Sequence, residues 1–168
     1  MKFDADNITS ICTVIISVIS LVTTIIFSRL QIKHNKNSVR PISAIKVSDY
    51  ENDIAVKLEN VGTGPLLIKR LRFKDRLRES STLISMMPKI DQLWTTFTGA
   101  VDDWTIPVDG KLILLELIPE SDAVKDIIRK KLANITVILQ YEDIYGTKFY
   151  DQRKLDFFGR HVDNSDDI

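Results

Sequence analysis

Cysteine and histidine, the side chains most often used for disulfides, metal binding and nucleophilic catalysis, are scarce in this chain of 168 residues. The one cysteine, Cys12, lies inside a long apolar segment. The two histidines are His34, beside that segment, and His161, close to the other terminus. The rest of the chain can therefore form no disulfide or thiolate site, which is compatible with the reducing cytosol. A zinc site or a His-based catalytic triad would need a histidine on a rigid element, and the pattern offers none.

The chain also lacks an excess of charge of either sign. Its 23 Lys and Arg residues balance 23 Asp and Glu residues, so no overall bias indicates an anionic or a cationic partner. Acidic groups occur in predicted turns and near the C-terminal end, as Asp102 with Asp103, Glu142 with Asp143, and residues 163–167. Solvated loop charge explains these groups better than paired-acid catalysis does. We therefore predict a protein that is not an enzyme and that binds no metal and no cofactor.

One stretch, residues 8–28, has no charge, no proline and no glycine. As a helix it would be roughly 32 Å long, against a bilayer hydrocarbon core of ~30 Å. A helix buried in a soluble domain rarely runs so far without a charged position. The segment therefore predicts a single transmembrane helix and a membrane lipid environment.

Hydroxyl side chains occupy one face of this predicted helix. At about 100° per residue, the eight Ser and Thr residues of the segment fall within an arc of roughly 140°. Those with coiled-coil spacing are Ser10, Thr13, Ser17, Ser20 and Thr24. Small hydroxyl residues allow helices to approach closely, so this face predicts a homo-oligomer, with a pore as one form it could take. The alternative is that the hydroxyls bond back to their own helix.

Charge on the two flanks predicts the orientation of the helix. Before it, residues 1–7 carry only Lys2, Asp4 and Asp6. The basic residues in the juxtamembrane linker 29–41 are Arg29, Lys33, Lys36 and Arg40. Basic flanks favour the cytoplasm, so we expect an inner-membrane protein with its N-terminus outside and its large domain in the cytoplasm. The linker cations suit anionic lipid headgroups, although a plain positive-inside flank has the same pattern. No small-residue cleavage site follows the segment, which favours an anchor over a cleaved signal peptide.

After Pro41 the apolar pattern changes to a period of two, which indicates strands. We predict strands at 42–48, 53–60 and 66–73, hairpins over 104–118 and 135–157, and a helix at 123–132 whose core face is Val124, Ile127, Ile128 and Leu132. Residues 60–65, with two glycines and a proline, are typical of a turn; they depart from the nucleotide-binding GxGxxG pattern. The fold class is therefore mainly β. An antiparallel sandwich spans residues 42–158 with one short inserted helix, and a flexible acidic tail occupies residues 159–168.

Two turn motifs carry a resemblance to a known group of proteins. The order of a strand, Asn60-x-Gly-x-Gly-Pro65, a strand, and later Tyr141-Glu-Asp-Ile-Tyr-Gly146 resembles bacterial single-pass membrane proteins with immunoglobulin-like cytosolic β-sandwiches, over residues 40–158. The organisation is similar to that of small membrane effectors of bacterial antiphage systems. That resemblance implies a domain that binds a nucleotide or oligonucleotide signal, or a partner protein encoded nearby, and clustered helices that breach the bilayer. Two other functions stay open: a membrane-tethered adaptor and an extracytoplasmic envelope-assembly domain.

The strongest candidate for a ligand site is a basic run with a spacing of two. Its cations are Arg70, Arg72, Lys74, Arg76 and Arg78. If the run is extended, all five lie on one face, while Leu71, Phe73 and Leu77 face the core. Such a row suits phosphate groups of a nucleotide, an oligonucleotide backbone or a lipid headgroup. The alternatives are a charged edge strand that prevents sheet-to-sheet aggregation and an exposed helix.

Overall fold

The apolar segment lies within one long helix, α1 (Ala5–Ser38), in a computed structural model that describes residues 5–161 of the chain and the side chains of residues 8–160. Among these residues α1 is the one helix long and apolar enough to cross a membrane. Its apolar side chains are all exposed. The predicted N-terminal segment 1–7 and acidic tail 159–168 fall largely outside the described residues, so both stay predictions.

The helix continues well beyond the apolar segment. It contains 34 residues, so it is about 51 Å long and keeps its helical form past residue 28. Three of the predicted juxtamembrane cations, Arg29, Lys33 and Lys36, lie on this extension at a spacing of four and then three residues. That spacing puts them on one face of the helix. The connection to the next unit is correspondingly shorter than predicted and comprises residues 39–42, called the linker below.

The second unit begins at Val39, and its described part, residues 39–161, consists of short strands, one α-helix and two 3-10 turns. The strands are β1 (Ser43–Tyr50), β2 (Asp53–Asn60), β3 (Leu66–Lys74), β4 (Glu79–Ser80), β5 (Thr96–Phe97), β6 (Thr105–Ile106), β7 (Lys111–Leu117), β8 (Thr136–Glu142) and β9 (Lys148–Lys154). The helix is α2 (Asp122–Ala133), and two 3-10 turns lie at Ile84–Met86 and Asp156–His161.

These strands form two antiparallel sheets. The first has the order β1-β2-β7-β5, and the second has the order β4-β3-β8-β9, with β6 also paired to β3. Alternate side chains of both sheets point into one shared core, as the period-two pattern predicts. The core residues with at most 1% exposure include Ile54, Val56, Leu58, Ile68, Leu71, Phe73, Val137 and Leu139. The prediction of an apolar helix followed by antiparallel sheets is confirmed, and the arrangement is consistent with a β-sandwich.

The two long edge strands, β1 and β9, are bridged to each other by side chains. The Ser43 hydroxyl donates to a carboxylate oxygen of Asp151 over 2.6 Å, and the Arg153 guanidinium donates to the carbonyl of Ile45. These two bonds link the edge of one sheet to the edge of the other.

The predicted hairpin over residues 104–118 is wrong. Strand β6 pairs with Leu66 and Leu67 of β3, whereas β7 pairs with β2. The chain changes sheets at Asp109, which has a positive φ of 56°, and Gly110, whose N–H donates to the Pro107 carbonyl. Alternation identifies strands but not their partners, so two neighbouring strands were assigned to one hairpin when they belong to opposite sheets.

Helix α2 begins where Ser121 accepts a hydrogen bond from the Val124 N–H, which is an ordinary N-cap. Ile128 and Leu132 are fully buried as predicted, but Ile127 is half exposed. In its place Lys125 is buried, and its Nζ donates to the carbonyls of Tyr50 and Glu51 over 2.6 and 2.8 Å. The helix lies against the β1–β2 turn, where free carbonyls select a cation instead of an apolar side chain.

A buried amide, that of Asn60, organises the turn between β2 and β3. Its Nδ2 donates to the carbonyls of Gly64, Ile106 and Pro107 over 2.8, 3.2 and 3.1 Å. Its Oδ1 accepts from the N–H of Gly62 over 3.1 Å. The side chain is fully buried, and every polar atom has a partner, which is the condition under which a buried amide stabilises a fold.

The same turn holds the linker. Thr63 N–H donates to the Arg40 carbonyl over 3.1 Å, and Val61 N–H donates to the Ile42 carbonyl over 2.9 Å. The Ile42 N–H in turn donates to Asn60 Oδ1 over 3.4 Å, and Pro41 is buried. We call this arrangement of residues 60–65 around residues 39–42 the clasp.

The two glycines of the clasp are needed because the linker backbone passes directly against them. A Cβ on Gly64 would lie 1.8 Å from the Val39 carbonyl oxygen, and one on Gly62 would lie 2.3 Å from the Ile42 nitrogen. No side chain fits at these distances. The glycines that predicted a turn therefore also provide the surface on which the linker rests.

We predict that Gly64→Ala destabilises the sandwich because its methyl group cannot coexist with the Val39 carbonyl. The expected loss in free energy of unfolding is about 1 to 3 kcal/mol, the usual cost of overpacking. The measurement is urea denaturation of the detergent-extracted chain, followed by fluorescence of Trp94 and Trp104. Gly99→Ala is the matched control, since a Cβ there meets nothing within 4 Å. Equal stability of the two variants would contradict the close approach.

Candidate anion-binding site

The basic run begins on β3 as predicted. Arg70, Arg72 and Lys74 point away from the core, while Leu71 and Phe73 between them are buried. A bulge between Ile68 and Arg70 shifts the register against β8, so Lys69 is exposed as well. The alternation of cation and apolar residue therefore holds from residue 70 to residue 74.

The strand ends at Lys74, because the next residue makes a turn. One carboxylate oxygen of Asp75 accepts from the N–H groups of Leu77 and Arg78 over 2.8 and 2.9 Å. The Asp75 N–H donates to the Arg78 carbonyl, and the chain reverses into β4. Arg76 and Arg78 consequently leave the row of cations. The expectation that Leu77 faces the core is wrong, since its side chain is 94% exposed.

Two of the five cations are held by other parts of the sandwich. Arg72 forms a bidentate ion pair with Asp102, with N–O distances of 2.9 and 2.7 Å. Asp102 also accepts a hydrogen bond from the Leu71 N–H. The Arg72–Asp102 ion pair therefore lies along the edge of β3, between the residues of β3 that pair with β6 and those that pair with β4. The hydrogen bond to Arg72 lowers the pKa of Asp102, and the same bond raises the pKa of Arg72. The Arg78 guanidinium donates to the Met86 carbonyl over 3.0 Å.

The other three cations, Arg70, Lys74 and Arg76, form no ion pair among the described residues. Strand pairing brings Lys74 opposite Thr136 of β8, and Thr136 opposite Lys154 of β9. Neighbouring strands lie ~4.8 Å apart, so the backbones of the two lysines are separated by about 10 Å. Long side chains on one sheet face can converge over that distance.

Lys74, Arg76 and Lys154 line a hollow of about 240 Å³, which we call the basic pocket, and Arg70 lies outside it. Its lining residues are Lys74, Asp75, Arg76, Asn134, Thr136 and Lys154. A second hollow of about 350 Å³ adjoins it and shares Asp75, Arg76 and Asn134 with it. Leu77 and Lys131 complete the second hollow.

The one carboxylate in the basic pocket, Asp75, is already neutralised. The Lys131 ammonium group donates to it over 2.8 Å, and the side chain of Asp75 is 7% exposed. That hydrogen bond, with those from the Leu77 and Arg78 N–H groups, holds the pKa of Asp75 well below its usual range. The C-terminal dipole of α2 near Asn134 contributes about half a negative charge, against three whole positive charges from the pocket cations. The pocket is therefore net positive.

The pocket includes residues that sequence reasoning missed. Lys154, Thr136 and Asn134 stand outside the basic run, on or next to the final hairpin. The register of that hairpin against β3 is the signal that could have identified them, because it decides which side chains become neighbours.

The predicted packing face of α1 shows a local hydrogen-bond pattern. The hydroxyls of Thr13, Ser17 and Thr24 donate to the carbonyls of Thr9, Thr13 and Ser20, each four residues earlier, over 2.8 to 2.9 Å. This is the back-bonding named as the alternative, and it satisfies the hydroxyls without excluding close helix contact. Self-association through Ser10, Ser17, Ser20 and their neighbours stays a prediction.

The remaining predicted contacts divide between the two units. Arg29, Lys33 and Lys36 belong to α1, whereas Arg40 belongs to the linker and stacks over the Phe149 ring at 5.1 Å. Within residues 5–161 no group of three or more His, Cys, Asp or Glu side chains is placed to hold a metal ion. Comparisons with protein-family models, curated proteins and solved structures found no match to this chain.

We predict that Asp75→Asn lowers the Tm at neutral pH and that this effect fades in acid. Because the pKa of Asp75 is lower in the folded chain than in the unfolded one, the ionised group stabilises the fold above the ordinary carboxyl pKa of ~3.9, and this contribution declines as the pH falls below it. The Asn side chain of the variant retains an oxygen that can accept the hydrogen bonds of the turn. The difference in Tm between wild type and variant therefore reports the loss of the negative charge.

The measurement is the Tm of wild type and variant between about pH 7 and pH 3. Asp91→Asn is the control, since Asp91 is exposed and has no ion pair among the described residues. A gap between wild type and Asp75→Asn that stays constant with pH would contradict the charged Asp75–Lys131 pair.

Proposed function

We propose that this chain is a non-enzymatic, single-pass membrane protein of the inner membrane, with its N-terminus outside and its sandwich in the cytoplasm. The sandwich acts as a sensing domain and passes its signal to a membrane helix that self-associates. In this organisation it is similar to the small membrane effectors of antiphage systems. A pore formed by the clustered helices is the output we propose.

The observation that carries the proposal is the clasp. Residues 60–65 bind the backbone of the linker, which immediately follows the last residue of α1, Ser38. A passive tether needs no such attachment, and flexible tethers are typically rich in Gly and Ser. A rearrangement of the sandwich could reach the helix through these hydrogen bonds, which is what a sensing domain requires.

We further propose that the sandwich is of the immunoglobulin-like type. The order β1-β2-β7-β5 corresponds to strands A-B-E-D of that fold, and the order β3-β8-β9 corresponds to C-F-G. Strand β4 takes the place of C′, and α2 is inserted between E and F. The departure is the absence of the B–F disulfide, since the chain's one cysteine is Cys12.

A membrane-tethered adaptor is the second candidate. Apolar side chains are exposed on turns near the clasp, at Val61, Trp104, Val108, Ile144 and Tyr145, each between 45% and 54% exposed. Such side chains suit a protein partner encoded nearby. An adaptor would hold that partner without any change in the association of α1.

We predict that α1 self-associates through its hydroxyl face. In a Cys12→Ser background, Ser20→Cys places one thiol near the centre of that face, and Val22→Cys places it about 200° away. Oxidation in native membranes should convert most of the Ser20→Cys protein to disulfide-linked dimers, with several-fold less dimer from Val22→Cys. Gel electrophoresis without reductant measures the yield.

The contrary result is equal cross-linking at both positions, or none at either, and it would leave an adaptor as the better candidate.

Coupling is tested by inserting Gly-Ser-Gly-Ser between Ser38 and Val39. If the clustered helices form the proposed pore, overexpression of the wild type should be toxic to cells. The insertion leaves the residues of the clasp and of α1 unchanged, so it should preserve the dimer while removing that toxicity. Toxicity unchanged by the insertion would rule against transmission through the linker.

A further inference from the structure

We infer that the basic pocket binds the phosphate group of a small, soluble phosphate ester. The inference rests on the proposed sensing function and names the class of signal that the sandwich receives. Lys74, Arg76 and Lys154 line the pocket, and none of them forms an ion pair among the described residues. Asp75 does not cancel their charge, because Lys131 is bonded to it.

The donors in the pocket match the surface of a phosphate group. The Arg76 guanidinium offers a planar fork, and the two lysines offer ammonium groups that rotate to suit an oxygen. The Thr136 hydroxyl makes no hydrogen bond within the described part of the chain and lies between the two lysines in register. Charge-assisted bonds from such groups are among the strongest that proteins form.

The adjoining hollow offers space for the organic part of the phosphate ester. It shares Arg76 with the pocket, and its lining includes Leu77, which is 94% exposed in the turn that follows β3. An apolar side chain held there by the Asp75 hydrogen bonds contributes nothing to the core. It offers a surface for the organic part of a ligand, and the volumes of the two hollows approach those of small-molecule sites.

The basic pocket and the clasp lie at opposite ends of strand β3. The clasp lies beside Leu66, at the first residue of β3, and the pocket lies beside Lys74, at the last. Eight steps along a strand correspond to about 27 Å. The pocket is therefore at the end of the sandwich remote from the linker.

The test is titration calorimetry on the full chain in a neutral detergent, with phenyl phosphate as the probe and phenol as the comparison without phosphate. Wild type should bind phenyl phosphate, more weakly at high salt, and should not bind phenol. Lys74→Gln/Lys154→Gln should weaken binding by about tenfold. Arg70→Gln/Lys148→Gln, which removes the same charge from exposed positions of the same sheet outside the pocket, should change it by less than about twofold.

Three results would overturn the inference. The first is absence of binding to wild type, and the second is an equal loss in both double variants, which would indicate a diffuse basic face. The third is a clear preference for dioctanoyl phosphatidic acid or a single-stranded oligonucleotide over phenyl phosphate. Failure here is distinguishable from failure of the proposed function: cross-linking at Ser20→Cys reports self-association independently of the pocket.

Discussion

The buried amide of Asn60 is the interaction on which the arrangement of the sandwich depends most. It joins the β2–β3 turn, the carbonyls at the end of β6 and the linker, which belong to both sheets and to the connection from α1. Because each of its polar atoms is satisfied inside the protein, loss of the side chain would leave several buried backbone groups without partners. The Asn60 side chain therefore joins the two sheets to each other and to the linker that leads into them.

The carboxylate of Asp75 has a comparable organising role at the opposite end of β3, which it terminates. By ending the strand it divides a run of cations that is uniform in sequence into groups with different roles. Arg72 and Arg78 become structural, bonded to Asp102 and Met86, whereas Lys74 and Arg76 remain available to a ligand. The carboxylate within the basic run therefore does not cancel the positive charge of the neighbouring cations, since its counter-charge is Lys131 on α2.

The period of the apolar residues was sufficient to predict the long helix, the six long strands and α2, because burial on one face imposes it directly. Strand partners could not be predicted in this way: β6 and β7 follow each other in the chain, but β6 pairs with β3 and β7 pairs with β2, in opposite sheets. Similarly, Ile127 has the spacing of a core residue, yet the carbonyls of Tyr50 and Glu51 select Lys125 instead. For the pocket, two of the three cations, Lys74 and Arg76, were visible as a local pattern, but Lys154 joins them through a register that no local pattern contains.

The bridging of β1 and β9 has a consequence for assembly. Among the described residues, the remaining sheet edges are the two-residue strands β4, β5 and β6, which are too short to template a further strand. A further strand that paired with β1 would have to compete with the Arg153 guanidinium for the Ile45 carbonyl. The side-chain bridge therefore acts against edge-to-edge pairing of two copies of the sandwich.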